Sequence, residues 1–172
     1  MTINITARTI RHYAGTLTIA AVMLFATTGA HANTPDVTAR NHEIISQAFT
    51  DWAERGGPFT RVLSPDIEWT VHGSGPYART YNGVESFAKD ASAPLLSRLA
   101  GPLVPNVHHI WAVDDKVIVR FDGSAKTTSG GSYNNKFLWV LTMKDGKAVK
   151  AEAFLDMVAY QTVVDNNTPR AE

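Results

Sequence analysis

Arg120-Phe121-Asp122 places a guanidinium and a carboxylate two positions apart. On an extended strand the two side chains leave the same face and can touch. An aspartate beside a guanidinium stays ionised, its pKa pushed down. That suits it to accept a hydrogen bond or orient a water more than to act as a strong base; a plain ion pair at a sheet rim uses the same residues. His72 stands just before Gly73, Gly75 and Pro76, where a strand would run into a loop. It is the imidazole placed to serve as a neutral-pH base, or else a loop histidine facing water. His108 and His109 are neighbours, so on a regular strand they face opposite ways and at most one points inward; His109 is the candidate. Trp69, Tyr77, Tyr81, Phe137, Trp139 and Phe154 are large rings that could line a pocket for a flat or apolar ligand or simply fill a core.

Other chemistries lack their residues. The chain has no cysteine, which excludes disulfides, thiolate metal sites and a cysteine nucleophile. There is no His-x-His or Glu-x-x-His spacing, no glycine-rich phosphate loop and no Gly-x-Ser-x-Gly elbow, so neither a metal nor a nucleotide cofactor is expected. Basic and acidic side chains number 16 each, and no basic run exists to hold nucleic acid.

The elements that must position these residues follow from periodicity. Thr34 to Arg55 reads as a helix, with Val37, Ile44, Ile45, Ala48, Phe49 and Trp52 on one face. Thr34 is the expected cap, Pro35 fits the first turn, and Gly56-Gly57-Pro58 ends it. A short helical turn at Phe59 to Leu63 and a strand at Ile67 to Val71 come next. Val84 to Leu99 is a second helix, kinked at Pro94. From Val104 the period changes to two, giving four strands: Val104–Val113, Lys116–Thr128, Ser132–Lys144 and Ala148–Asp156. Met157 to Val164 is a final helix, capped by Asp156, and 165–172 reads as a flexible polar tail. Helices first and an antiparallel meander last make an α+β domain, a curved sheet with helices across one face.

The first 32 residues have the character of a secretory signal. Arg8 and Arg11 precede the apolar stretch Ala14 to Ala26, and Ala30-His31-Ala32 has the small-x-small form of a cleavage site. The stretch is too short and threonine-rich to favour a stable membrane span. Cleavage would remove two arginines and no acid, leaving 140 residues with net charge −2. The expected location is a bacterial periplasm or the exterior.

Along Ser132–Lys144, Asn135, Phe137, Trp139, Leu141 and Met143 share a face; along the last strand Val149, Ala151, Ala153 and Leu155 do. Large rings opposite alanines leave room for a cavity on the concave side of a bent sheet, although such stripes also make ordinary cores.

The Pro65-Asp66-Ile67-Glu68-Trp69 strand opening, Gly83 before the second long helix, and Glu152-Ala153-Phe154-Leu155-Asp156 leading into the last helix give the chain, over Asn41 to Val164, its resemblance to the SnoaL-like branch of the nuclear transport factor 2-like superfamily. The resemblance implies a cone-shaped fold, a bent sheet around a deep apolar pocket capped by helices. Its members include ketosteroid isomerases, polyketide cyclases, scytalone dehydratase, limonene epoxide hydrolase and non-catalytic binding domains, so fold leaves function open. The isomerase positions for a tyrosine, a base and a protonated acid match Phe49, Val71 or His72, and Trp139, which removes the two oxyanion donors. The epoxide hydrolase pattern Arg-x-Asp followed by a Gly-Ser-Tyr-Asn-like turn matches Arg120-Phe121-Asp122 and Ser132-Tyr133-Asn134. That enzyme's tyrosine, asparagine and second aspartate are replaced by Trp69, Val71 and Ala153. Members often pair through the outer sheet face, here Lys136, Leu138, Val140 and Thr142, which implies a homodimer.

The expectation is an exported α+β domain of this class, residues 33–164, that takes a small, mostly apolar molecule. Trp69, Tyr77, Phe49, Phe137, Trp139, His109 and Leu155 are its candidate contacts. Asp122, Arg120 and His72 are the candidate catalytic groups of a cofactor-independent isomerase, dehydratase, cyclase or hydrolase. The alternative is a binding module without turnover.

Overall fold

The computed structural model describes residues 36–56 and 59–170. The signal-like segment, Thr34 and Pro35 lie outside them. Helix α1 (Val37–Arg55) is capped by Asp36, whose carboxylate accepts from the Thr38 amide at 3.1 Å, so its cap is not the Thr34 expected. It ends where Gly56 turns left-handed at φ 61° and donates to the Trp52 carbonyl, the conformation that favours glycine at a helix end.

A 3-10 turn (Phe59–Val62) leads into β1 (Leu63–Val71), then β2 (Thr80–Asn82). β2 is too short and polar for periodicity to reveal. α2 (Val84–Ser86), a π-helical segment (Phe87–Ser92) and α3 (Ala93–Leu96) then follow without a break. Pro94 therefore sits in the first turn of α3, where its missing N–H is harmless, and the wider π segment stands in place of the expected kink.

The meander consists of β3 (Val104–Val113), β4 (Lys116–Lys126), β5 (Ser132–Lys144) and β6 (Lys147–Phe154), and α4 (Met157–Asn166) closes the domain. Asp156 caps α4, accepting from the Val158 and Ala159 amides at 2.9 and 3.0 Å. α4 runs past Val164, and the segment after it is tied down rather than frayed: Thr128 donates to the Thr168 carbonyl, and the Arg170 amide donates to the Ser97 carbonyl at 2.7 Å.

The six strands order as β2-β1-β6-β5-β4-β3, antiparallel except for the β1–β6 pair. The fold is α+β, as expected. Alternation sorts the sheet into two faces. Val117, Val119, Phe121, Phe137, Trp139, Leu141, Ala151 and Ala153 are buried on the inner one, under the helices. α1 packs on β3 and β4, and α4 on β5. Phe121 and Phe137 lie opposite each other and stack with centroids 4.7 Å apart. Gly123 continues that inner row. A Cβ there would come within 2.8 Å of Phe137 Cε2, closer than carbon atoms pack, so the glycine is what lets the ring lie flat.

Candidate functional site

A cavity of about 600 Å³ lies between the inner sheet face and the helices. Its floor is Trp69 and Val71 of β1, Phe137 and Trp139 of β5, and Ala153 of β6. Ala153 pairs across the ladder with Trp139; the methyl beside the indole is what keeps space open there. The roof is the π-helical segment, which turns Phe87, Ala88, Ala91 and Ser92 inward. Trp52 of α1, Tyr77 of the β1–β2 loop, and Met157 and Tyr160 of α4 complete the wall. The rings hold one another in place. Trp69 stacks on Phe87 at 4.0 Å and meets Trp139 edge-on at 4.9 Å, while Trp139 lies nearly parallel to Trp52 at 5.9 Å. Such locked aromatic walls present broad apolar area at little cost in side-chain entropy.

Polar groups in this wall are few. The Tyr160 hydroxyl donates to the Ala91 carbonyl at 2.8 Å, and burial pushes its pKa well above the ordinary phenol value. Deeper in the core, burial likewise raises the Tyr133 phenol, whose oxygen accepts from the Asn135 amide at 2.8 Å. Among the described residues the wall contains no carboxylate, imidazole or lysine amine; its one full charge is Arg170.

Of the residues expected to contact a ligand, Trp69, Tyr77, Phe137, Trp139 and Leu155 line the cavity. Phe49 does not. It is buried one layer behind, in contact with Phe121 at 5.0 Å and Trp139 at 5.8 Å, and acts on the wall through them.

Arg120, Asp122, His72 and His109 are not in the wall either. Arg120 and Asp122 alternate with the buried Val119, Phe121 and Gly123, and pair in register with Leu138 and Lys136 on the outer face. The expectation that they line the cavity is corrected by this pairing: the sheet itself separates them from it. Arg120 Nη1 and Asp122 Oδ1 meet at 2.6 Å, both screened from solvent, and Asp122 Oδ2 lies 3.0 Å from His108 Nε2. The hydrogen bond from Arg120, then that from His108, holds the Asp122 pKa below its ordinary value of 3.8.

His108 and His109 both face outward, contrary to the alternation of a regular strand. The register of β3 against β4 slips between Val107 and His109, so His108 is the extra residue of a bulge. His109 stacks on Trp111 at 5.0 Å. His72 stacks flat on Phe154 at 4.5 Å and approaches Glu152 at 3.1 Å, also on the outer face. Among the described residues no three metal-ligating side chains converge.

Trp52, Phe87, Ala91, Met157, Tyr160 and Arg170 line the cavity without having been singled out as ligand contacts from the sequence. Trp52 stood in the helical stripe of the first helix, where cavity wall and filled core look alike. Nothing in the sequence around Arg170 marks it.

The sequence profile of the SnoaL-like domain matches residues 46–151. No curated protein sequence matches the chain. Among solved structures, an NTF2-like protein from Burkholderia thailandensis E264 is 21% identical, with 72% of this chain and 95% of that one covered and a TM-score of 0.60. A putative SnoaL-like polyketide cyclase from Jannaschia sp. CCS1 is 17% identical, covering 77% and 96%, with a TM-score of 0.60. TerC, co-crystallised with polyporic acid, is 23% identical, covering 74% and 99%, with a TM-score of 0.59. At these identities the shared property is the NTF2-like fold.

Proposed function

The chain belongs to the SnoaL-like domain family, and from that premise we propose that it binds a small, planar, mostly apolar molecule in the cavity and does not turn it over. The observation that carries this reading is the wall itself: aromatic and roomy, without an acid or base that titrates near neutral pH among the described residues. Isomerisation, dehydration or hydrolysis without a cofactor needs such a group within hydrogen-bond reach of the reacting atom. Asp122, Arg120 and His72, the candidates for that work, stand on the other side of the sheet. That TerC, which shares the fold, was co-crystallised with polyporic acid supports a small-molecule guest. Titration calorimetry with 2-naphthamide tests the proposal. One-to-one binding, with the amide recovered unchanged, is expected; no binding, or chemical conversion of a bound aromatic, contradicts it.

The outer sheet face supports a second element of the reading, pairing of two copies. Trp111 is 48% exposed, Val113 66% and Phe154 42%, with the half-buried Ile118, Leu138 and Val140 between them. A contiguous apolar face of this kind marks an interaction surface, and a self-complementary patch closes as a dimer. The protein is expected to sediment as a dimer, and Trp111→Glu to sediment as a monomer, since the carboxylate would be buried without a partner. A wild-type monomer at micromolar concentration contradicts the pairing.

We also propose that the protein works outside the cytoplasm, on the strength of the arginine-then-apolar segment before Asn33. No helix among the described residues is long and apolar enough to cross a membrane. Protein recovered from a secreting bacterium is expected to begin at Asn33 by mass spectrometry; an intact amino terminus contradicts this.

A further inference from the structure

The only full charge in the cavity wall among the described residues is Arg170, and it arrives there from the far end of the chain. The segment after α4 is laid over the end of α3 and the neighbouring turn. Ser129 reaches the Asn167 side chain at 2.6 Å, Arg98 Nε donates to the Asn167 carbonyl at 2.9 Å, and the Arg170 amide donates to the Ser97 carbonyl at 2.7 Å. These bonds hold the backbone of a strap, which sets Arg170 within reach of the cavity wall. There its Nη2 donates to the Leu96 carbonyl at 3.3 Å. That is a long single bond for a group with five donors, and Arg170 takes part in none of the ion pairs among the described residues.

Exposure sorts the wall into a depth and a mouth. Trp69, Trp139, Phe137 and Tyr160 are buried, whereas Gly56, Leu96, Pro102 and Arg170 are exposed. The cation therefore stands at the rim of an otherwise apolar hollow. A planar fork of N–H groups above an aromatic slot matches a molecule with one apolar end and one end carrying paired anionic oxygens. A wholly neutral ligand would leave the guanidinium unused. A ligand with its charge at the deep end would bury that charge without a partner, which is strongly unfavourable.

We infer that the ligand is an aromatic carboxylate, its ring held among Trp52, Trp69 and Trp139 and its carboxylate held at the mouth by Arg170. This inference rests on the proposal that the cavity binds a planar apolar molecule, and it adds the charge, the orientation and the residue that reads them.

The test compares 2-naphthoate with 2-naphthamide, which share a ring system and differ in charge, by titration calorimetry at neutral pH and low salt. The naphthoate is expected to bind about tenfold more tightly, a difference of about 1.4 kcal/mol. Arg170→Gln should remove that preference by weakening the naphthoate alone, Arg170→Lys should keep part of it, and added salt should shrink it because the cation is exposed. Equal affinity of the two probes for the wild-type protein, or equal weakening of both by Arg170→Gln, overturns the role of Arg170 while leaving the binding cavity in place. Failure of both probes to bind overturns the cavity reading and this inference with it.

Discussion

Replacing Phe121 with alanine is expected to lower the stability of the fold by about 3–5 kcal/mol. Phe121 is fully buried at the centre of the inner face. It stacks on Phe137, meets Phe49 edge-on at 5.0 Å and meets Trp139 edge-on at 4.9 Å. It does not line the cavity, so the loss is one of packing: the removed ring forfeits its burial, and its neighbours, locked by one another, collapse only partly into the gap. For a domain of this size the melting temperature should fall by roughly 10–20 °C. Urea unfolding followed by tryptophan fluorescence measures the loss. A change below about 1 kcal/mol would mean that the aromatic layer behind the cavity is not rigidly packed.

The second large effect is on binding. Ala91→Phe is expected to weaken 2-naphthamide at least 100-fold, about 2.8 kcal/mol, while the protein remains folded. Ala91 is nearly buried, on the π-helical roof opposite the indoles. A phenyl ring at that Cβ occupies the space the guest needs. In the empty protein the same ring gains burial of about 1.5–3 kcal/mol, which outweighs a helix-propensity loss of about 0.5 kcal/mol. The hydrogen bond that Ala91 accepts from Tyr160 uses its backbone carbonyl and survives the change. The expected signature is lost affinity with unchanged or raised stability, which separates filling of the cavity from general damage. Calorimetry and urea unfolding on the same preparation check both halves. Unchanged affinity would place the guest elsewhere.

The residues themselves carry most of the architecture. Period two from Val104 onward and the helical stripe of Ile45, Ala48, Phe49 and Trp52 are local signals, and local signals suffice for elements. The positions of Arg120 and Asp122 needed something that periodicity does not hold. Alternation placed them opposite Val119 and Phe121, but which face turns inward depends on the register with β5. Phe121 lies against Phe137, and Arg120 against Leu138; once that pairing is fixed, the charged pair has to be outside. His108 and His109 illustrate the same limit, because one inserted residue lets both face outward and strand alternation alone forbids that. β2 escaped notice because its three residues gain their pairing from β1, with Trp69 opposite Tyr81. Cavity and filled core could not be told apart from the sequence, since both are lined by the same rings. The difference lies in the small side chains Ala88, Ala91 and Ala153 meeting across a gap from Trp69 and Trp139. Arg170 lay beyond any pattern, because it reaches the mouth through bonds made by Asn167, Thr168 and its own amide.

The four tryptophans give the account its most direct measurement. Trp52, Trp69 and Trp139 line the cavity, and Trp111 lies on the outer face beside His109. With fluorotryptophan incorporated and each resonance assigned by substitution, addition of 2-naphthamide should shift the signals of Trp52, Trp69 and Trp139 and leave Trp111 in place. A shift of Trp111 alone, or no shift at saturating ligand, would contradict a hollow that receives a guest between sheet and helices.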